Sequence, residues 1–395
     1  MTRAVSLVGA ARGLALGALL PAVAGAQTPD APGTATCAQV VQTALNASQA
    51  VGAARAGVPL AQAQLDAATA WETPELRVRD NLAAPGQEPR VGLRVPLPRW
   101  GVGDALRGAA TAGVALSRAE LTLLEAQVAL TARLQVAAVR AARRDAALAA
   151  RGAEIAQTAA ADSARAESAG VANGVAETLN RLDTLTARAE ADAAVVHLAA
   201  AEATLARYAG GLSVDAASPC VGPLPDAATP HTERAHAIAG VAQAERDEAE
   251  RDLWPWPTFI ELAWQRDETG GERTDRALAE VGVALSWPGG APARAARAEA
   301  AQVTAQGEAE AQAAERALAD ARAALDAARA HLARLNSQAP ELERAAALAD
   351  AAERAGAPGS ELRALRRKVL DYERARAAAM YAVEVAEAEV VAGGG

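Results

Sequence analysis

The chain has 395 residues, of which 51% are hydrophobic, 22% are charged and 3% are aromatic, with a single Phe. A net charge of -9 excludes a general nucleic-acid binder. The apolar content is mostly alanine, which fills little core volume and is the best helix former, so long, closely spaced helices suit this chain better than a thick globular core.

In chain order, the first element reads as a secretory signal over residues 1–26. Arg3 and Arg12 supply positive charge, Leu14 to Val23 form an apolar run, and Ala24-Gly25-Ala26 offers small residues for cleavage. The run is too short to span a bilayer as a helix, and no later segment supplies the roughly 20 apolar residues of one. Any membrane crossing would therefore use strands. Cys37 and Cys220 lack the clustered spacing of a metal site. An exported chain permits a disulfide between them, and two free thiols are the other reading.

The mature chain reads as two copies of one pattern, residues 27–217 and 231–395, joined by a Pro-rich linker over 218–230. Each copy starts with a helical segment, Cys37 to Trp71 or His231 to Leu253, and a proline follows, Pro74 or Pro257. A β-hairpin comes next, over 74–97 or 258–287. In the first, Leu76, Val78 and Leu82 alternate with Arg77, Arg79 and Asn81, and Val91, Leu93, Val95 and Leu97 alternate with Arg90, Gly92 and Arg94. In the second, Ile260, Leu262 and Trp264 alternate with Glu261, Ala263 and Gln265, and Val281, Val283, Leu285 and Trp287 alternate with Glu280, Gly282 and Ser286. A period of two puts each apolar set on one face. Runs of this length suit a tilted membrane strand, and Trp100, Trp254, Trp256, Trp264 and Trp287 flank or end them, as aromatics do at a membrane interface. A small soluble sheet packed on one face fits the alternation too. Two hairpins cannot close a barrel, so a spanning reading demands several subunits.

Each hairpin leads into a very long helix. Gly101 to Ser168 contains no proline and would make a rod about 100 Å long. Ala291 to Ala355 matches it, with Pro340 as the one interruption. Leu121, Leu124, Val128, Leu130 and Leu134 mark an apolar helical face. Glycine turns near residues 170 and 356 end these rods, and a second helix returns from each.

Sites of chemistry are not evident. No phosphate-binding loop occurs, and Gly101-Val102-Gly103 has Leu106 where a dinucleotide fingerprint needs its third glycine. His197, His231, His236 and His331 lack metal spacing. Glu120 and Glu125 read as helix surface, in reach of Arg three or four residues away. The reading is of a protein that is not an enzyme and uses no cofactor or metal.

This pattern resembles the TolC-like outer-membrane efflux family. The residues that carry the resemblance are Ala44-Leu45-Asn46-Ala47, where the family has a proline last; Val91-Gly92-Leu93-Arg94-Val95-Pro96-Leu97 with the Trp100-Gly101 exit; the turns Ala169-Gly170-Val171 and Ala355-Gly356-Ala357; and Leu205 to Gly210 followed by Gly211-Leu212. The resemblance covers roughly residues 37–392. It implies a mainly α protein with a membrane β-barrel: a homotrimer whose four strands per protomer share a twelve-stranded barrel, with helical hairpins forming an α-barrel tunnel. It implies an exit duct in the cell outer membrane, extending into the periplasm, for a tripartite efflux or type I secretion system. The implied partners are outer-membrane lipid, a periplasmic adaptor and an inner-membrane pump.

The resemblance also implies site residues. The adaptor-docking tip turns are Ala169, Gly170, Val171, Gly174, Ala355, Gly356, Ala357 and Gly359. The lipid-facing strand residues are Val91, Leu93, Val95, Ile260, Leu262, Trp264, Val281, Val283 and Leu285. The family often narrows its pore with an aspartate in a returning helix. Here Ala176 and Leu362 stand at the matching positions, and the candidate gate residues are Glu177, Asp183, Glu361, Arg363, Arg366 and Arg367, with Lys368 beside them. These cations could bridge to carboxylates of a neighbouring protomer in the closed state, and a solvated basic stripe is the other reading. The competing function is a structural coiled-coil scaffold of the cell envelope, and the hairpins discriminate the two.

Overall fold

A computed structural model describes residues 34–68, 73–79, 90–97, 102–170, 174–210, 213–214, 220, 229–251, 256–269, 272–284, 291–354 and 359–394. The signal-like segment, most of the linker, both strand-to-helix exits and Leu285 lie outside these residues.

The chain begins with a short strand β1 (Thr34–Ala35) and helix α1 (Cys37–Ala47). A capping box opens α1: the Gln39 backbone N–H donates to Thr36 Oγ1 at 3.3 Å, and the Thr36 N–H donates to Gln39 Oε1 at 2.8 Å. The single helix expected over 37–71 is two helices. Ser48 is extended, and its Oγ accepts from the Val51 N–H at 3.3 Å, which starts α2 (Gln49–Ala68) as a fresh cap.

Strands β2 (Glu75–Arg79) and β3 (Arg90–Pro96) precede α3 (Val102–Ser168), a helix of 67 residues. The chain returns as α4 (Gly174–Ala209) and forms β4 (Ser213–Val214), which pairs in parallel with β1. The second half holds α5 (Thr229–Arg251), β5 (Trp256–Thr269), β6 (Glu272–Ala284), α6 (Ala291–Arg354) and α7 (Gly359–Gly394). Pro340 does not interrupt α6, which runs through it; packing against neighbouring helices offsets the one lost backbone bond.

The two hairpins meet in one antiparallel sheet of order β2-β3-β5-β6, joined by the β3–β5 ladder. α3 packs against α2, α4, α5 and α7, and α6 packs against α5 and α7. The core between them is thin and made largely of alanine. Larger side chains gather in two places: Val40, Val136, Val139 and Leu205, and Leu318, Leu325 and Val390. Small residues let the helices approach closely. A β-carbon at Gly240 would lie 3.3 Å from Ala112 Cβ, and one at Gly307 would lie 3.3 Å from the Ala235 carbonyl.

With so little apolar volume, ion pairs between helices carry much of the specificity. Arg55 meets Glu125 at 2.8 Å, Arg143 meets Glu202 at 2.8 Å, Arg144 meets Glu384 at 2.8 Å, and Arg329 meets Glu387 at 2.8 Å. Glu125, expected to pair within its own helix, thus serves as a cross-helix partner. No helix among the described residues is long and apolar enough to cross a membrane.

A disulfide joins Cys37 at the start of α1 to Cys220, with the Cα atoms 5.2 Å apart. Cys37 is buried beside Val40, Val136, Val139 and Leu205. The bond ties the start of α1 to the segment between the two halves, just beyond the β1–β4 pair.

Candidate functional site

The four-stranded sheet has two unlike faces. The register aligns Leu76, Leu93, Leu262 and Ala279 in one row and Val78, Val91, Trp264 and Ala277 in the next. This apolar face is the open one: Leu262 is 61% exposed, Val281 56% and Leu93 45%. The opposite face carries Arg77, Arg90, Arg94, Glu261, Gln265 and Glu280, and its centre is the more enclosed: Glu261 is 8% exposed and Ala263 6%, while Leu278 and Glu280 on β6 stay exposed. A sheet in a water-soluble protein buries its apolar face and solvates its polar one. Here the arrangement is inverted.

The apolar face ends sharply toward the β5–β6 turn. Arg266 pairs with Asp275 at 2.9 Å, and its guanidinium lies 4.9 Å from the Trp264 ring centroid. From Val283 to Ala277 the apolar face covers about 20 Å along β6, at 3.3 Å per residue. On the enclosed face, Arg90 reaches Glu261 at 3.1 Å and Glu280 at 2.9 Å. The outer edges of β2 and β6 have no ladder partner among the described residues.

The far end of the helices holds the first tip turn. Gly170 has φ +71°, a conformation suited to glycine, and its N–H donates to the Glu167 carbonyl at 2.8 Å. The Glu167 and Glu177 carboxyls meet across this turn, and their hydrogen bond raises the Glu167 pKa above its ordinary value, with desolvation and Glu177 charge repulsion adding to the shift. Glu177 also pairs with Arg181 one turn along. Below the turn, Ser163 receives Asn180 from α4 and Arg363 from α7, the latter at 3.5 Å. The Thr184 hydroxyl donates to the Ala156 carbonyl at 3.0 Å, in a buried contact. Arg367 pairs with Asp183 at 2.5 Å, and Arg374 with Glu190 at 3.2 Å, so α7 is laced to α4 over the floor of α3. Arg366 faces the other way, toward Asp350 of α6 at 3.6 Å. Glu361 is exposed in the first turn of α7.

No protein-family model matches the sequence, and no curated protein does. Solved structures do match. CusC, whose crystal structures concern folding and transmembrane channel formation, aligns with a TM-score of 0.71 at 17% identity over 91% of this chain and 92% of its own. The outer-membrane channel OprN aligns with a TM-score of 0.71 at 18% identity over 91% and 90%. The outer membrane protein VceC of Vibrio cholerae aligns with a TM-score of 0.70 at 16% identity over 91% and 96%. The chain has this outer-membrane channel fold.

Within the channel fold, the sequence-predicted residues fall into three groups. Val91, Leu93, Val95, Ile260, Leu262, Trp264, Val281 and Val283 share the apolar face of one sheet; Val95 is half-buried and the rest are exposed. Arg367 of α7 meets Asp183 of α4, and Arg363 of α7 meets Ser163 of α3, whereas Glu177, Glu361 and Arg366 point to other partners or to solvent. Ala169, Gly170, Gly174 and Gly359 bound the tip turns, and Val171, Ala355, Gly356 and Ala357 lie outside the described residues. Within this chain, Arg363 meets Ser163, Arg366 meets Asp350 and Arg367 meets Asp183.

Sequence reasoning missed Phe259. The lone Phe has the same strand parity as Glu261, Ala263 and Gln265, and that alternation is the signal that assigns it to the charged face. Ser163 was missed too; a small polar residue at helical spacing gives no signal of its own.

Proposed function

We propose that the protein is the outer-membrane exit duct of a tripartite efflux or type I secretion system, and that it is not an enzyme. The observation that carries this reading is the inverted sheet. Its apolar face is open, the centre of its charged face is enclosed, and its two edges have no ladder partner among the described residues. Lipid would cover the first, water in a lumen would solvate the second, and closure into a barrel would satisfy the third.

Three copies supply closure. Four strands from each make a twelve-stranded barrel, in which β6 of one protomer meets β2 of the next. The α3–α4 and α6–α7 hairpins then line a tunnel through the periplasm. The order helix, hairpin, long helix, return helix occurs twice along the chain, which supports a two-fold internal repeat with boundaries near 27–217 and 231–395. The tip turns at Gly170 and before Gly359 are the docking points for a periplasmic adaptor, which links the duct to an inner-membrane pump. The Asp183–Arg367 and Ser163–Arg363 contacts hold α7 against α3 and α4 near the tip, where loosening them would widen the tunnel. The coiled-coil scaffold reading leaves the inverted sheet without a role.

Planar lipid bilayers test the proposal. Purified protein in detergent should insert as a trimer and produce discrete, stepwise conductance. A water-soluble monomer that never conducts would refute it.

A further inference from the structure

Phe259 is an aromatic side chain on the charged face of the sheet, in a row with Pro96 and Gly282. Its place depends on Gly282. A β-carbon there would lie 2.0 Å from Phe259 Cε1 and 2.5 Å from its Cδ1 and Cζ, so any larger residue displaces the ring. The Arg94 guanidinium lies over that ring, 3.6 Å from its centroid.

Arg94 stands between two acids and is bound to neither. The ladder sets Glu75 opposite it on β2 and Glu261 opposite it on β5, the cross-strand partners an arginine would ordinarily take. Glu75 instead holds Arg77 at 2.9 Å, and Glu261 holds Arg90 at 3.1 Å. Arg90 reaches Glu261 over Gly92, where a β-carbon would lie 3.1 Å from Glu261 Oε1 and 3.1 Å from Ala263 Cβ. Two glycines on one face therefore shape this pattern: Gly92 lets Arg90 engage the acids, and Gly282 seats the ring beneath Arg94. Among the described residues, Arg94 has an aromatic partner and no carboxylate partner. Stacking uses one face of a guanidinium and leaves its in-plane N–H donors facing outward, in the fork geometry that suits carboxylates and phosphates.

We propose that Arg94, held by Phe259 over Gly282, is an anion-recognising residue in the wall of the duct, taking solutes that carry an oxyanion group such as a carboxylate or phosphate. This rests on the reading of the enclosed face as a lumen. In a trimer it makes a ring of three arginines at the helix-side end of the barrel, where cargo passes from tunnel to barrel. Rings of fixed cations favour anions in pores.

The test is ion selectivity of the full-length trimer in planar bilayers under a potassium chloride gradient. Arg94→Ala should lower the chloride-to-potassium permeability ratio by about threefold, the size Coulomb's law gives for three unit charges about 10–12 Å from the axis in ~0.1 M salt. Arg94→Lys should keep most of the ratio. Phe259→Leu keeps the charge but releases the side chain, so it should lower the ratio by less than Arg94→Ala. Tripolyphosphate added to the unmodified duct should block its current reversibly, which decides the matter even where a variant does not assemble. A conducting channel whose ratio is unmoved by Arg94→Ala, or whose current ignores tripolyphosphate, would overturn the anion element alone. A wild-type protein that never conducts would overturn the duct itself.

Discussion

Replacing Leu262 by arginine separates a lipid-facing sheet from a soluble one by the size of the penalty. Leu262 sits mid-band in the apolar face, with Val281 and Ile260 one row to the helix side, and Trp264 followed by the Arg266–Asp275 pair on the other. It is 61% exposed, which leaves space for a longer side chain. In water, such a surface substitution changes stability by about 0.5 kcal/mol or less. At the middle of a bilayer, arginine on a barrel's lipid face costs about 2–4 kcal/mol per copy, so three copies raise the penalty to about 6–12 kcal/mol per assembled barrel. The assay is refolding from urea into lipid vesicles, scored by a heat-resistant trimer band on gels and by the urea midpoint of unfolding. Gln265→Glu, which sets a new charge between Arg90 and Arg276 on the opposite face of the same strand, is the control and should assemble as wild type. A Leu262→Arg protein that unfolds at the wild-type midpoint would refute a lipid-facing assignment for this sheet.

Further outcomes follow from the helical body. Breaking the Cys37–Cys220 disulfide with Cys37→Ala and Cys220→Ala frees a loop with a sequence separation of 183. Stability should drop by about 2–4 kcal/mol, seen as a lower unfolding midpoint that reductant no longer shifts. Arg144→Ala strands the half-buried Glu384, one of whose oxygens already lacks a partner, and should cost about 1–3 kcal/mol. Arg344→Ala breaks an open pair with Glu341 and should cost about 0–0.5 kcal/mol, so equal urea midpoints for the two variants would contradict the packing described. At the tip, the Glu167 carboxyl is held above its ordinary pKa chiefly by its hydrogen bond with Glu177. A raised acid stabilises the folded turn fully below the unfolded carboxylate pKa, and that contribution is lost as pH rises through the raised value. Hydrogen exchange at residues 174–178 should therefore become faster, relative to a Glu167→Gln control at each pH, as pH climbs through the carboxylate range.

Much of this architecture is legible in the residues themselves. Alternation in the strand segments placed Val91, Leu93, Leu262 and Val281 on one face, because a period of two leaves no other choice once a strand forms. Unbroken Ala-rich stretches foretold α3 and α6, because propensity sums over so many residues. Local chemistry misled at Ser48 and Pro340. A hydroxyl cap divides what looked like one helix, and tertiary packing carries another through a proline. Long-range pairings were not legible. Nothing in the spacing of Arg367 and Asp183, or of Arg144 and Glu384, selects those partners from many similar side chains, since each pairing arises only when separate helices dock. The Arg94–Phe259 stack depends on the β3–β5 register, which joins segments from opposite halves of the chain.

The most direct test is the mass of the native particle in detergent, measured by light scattering on protein extracted from the outer-membrane fraction. A trimeric duct predicts three copies per particle, about three times the mass of one chain, and precipitation when detergent is withdrawn. A single copy that stays monodisperse in plain buffer would contradict it, because the open apolar face and the outer edges of the sheet would then need neither lipid nor neighbours.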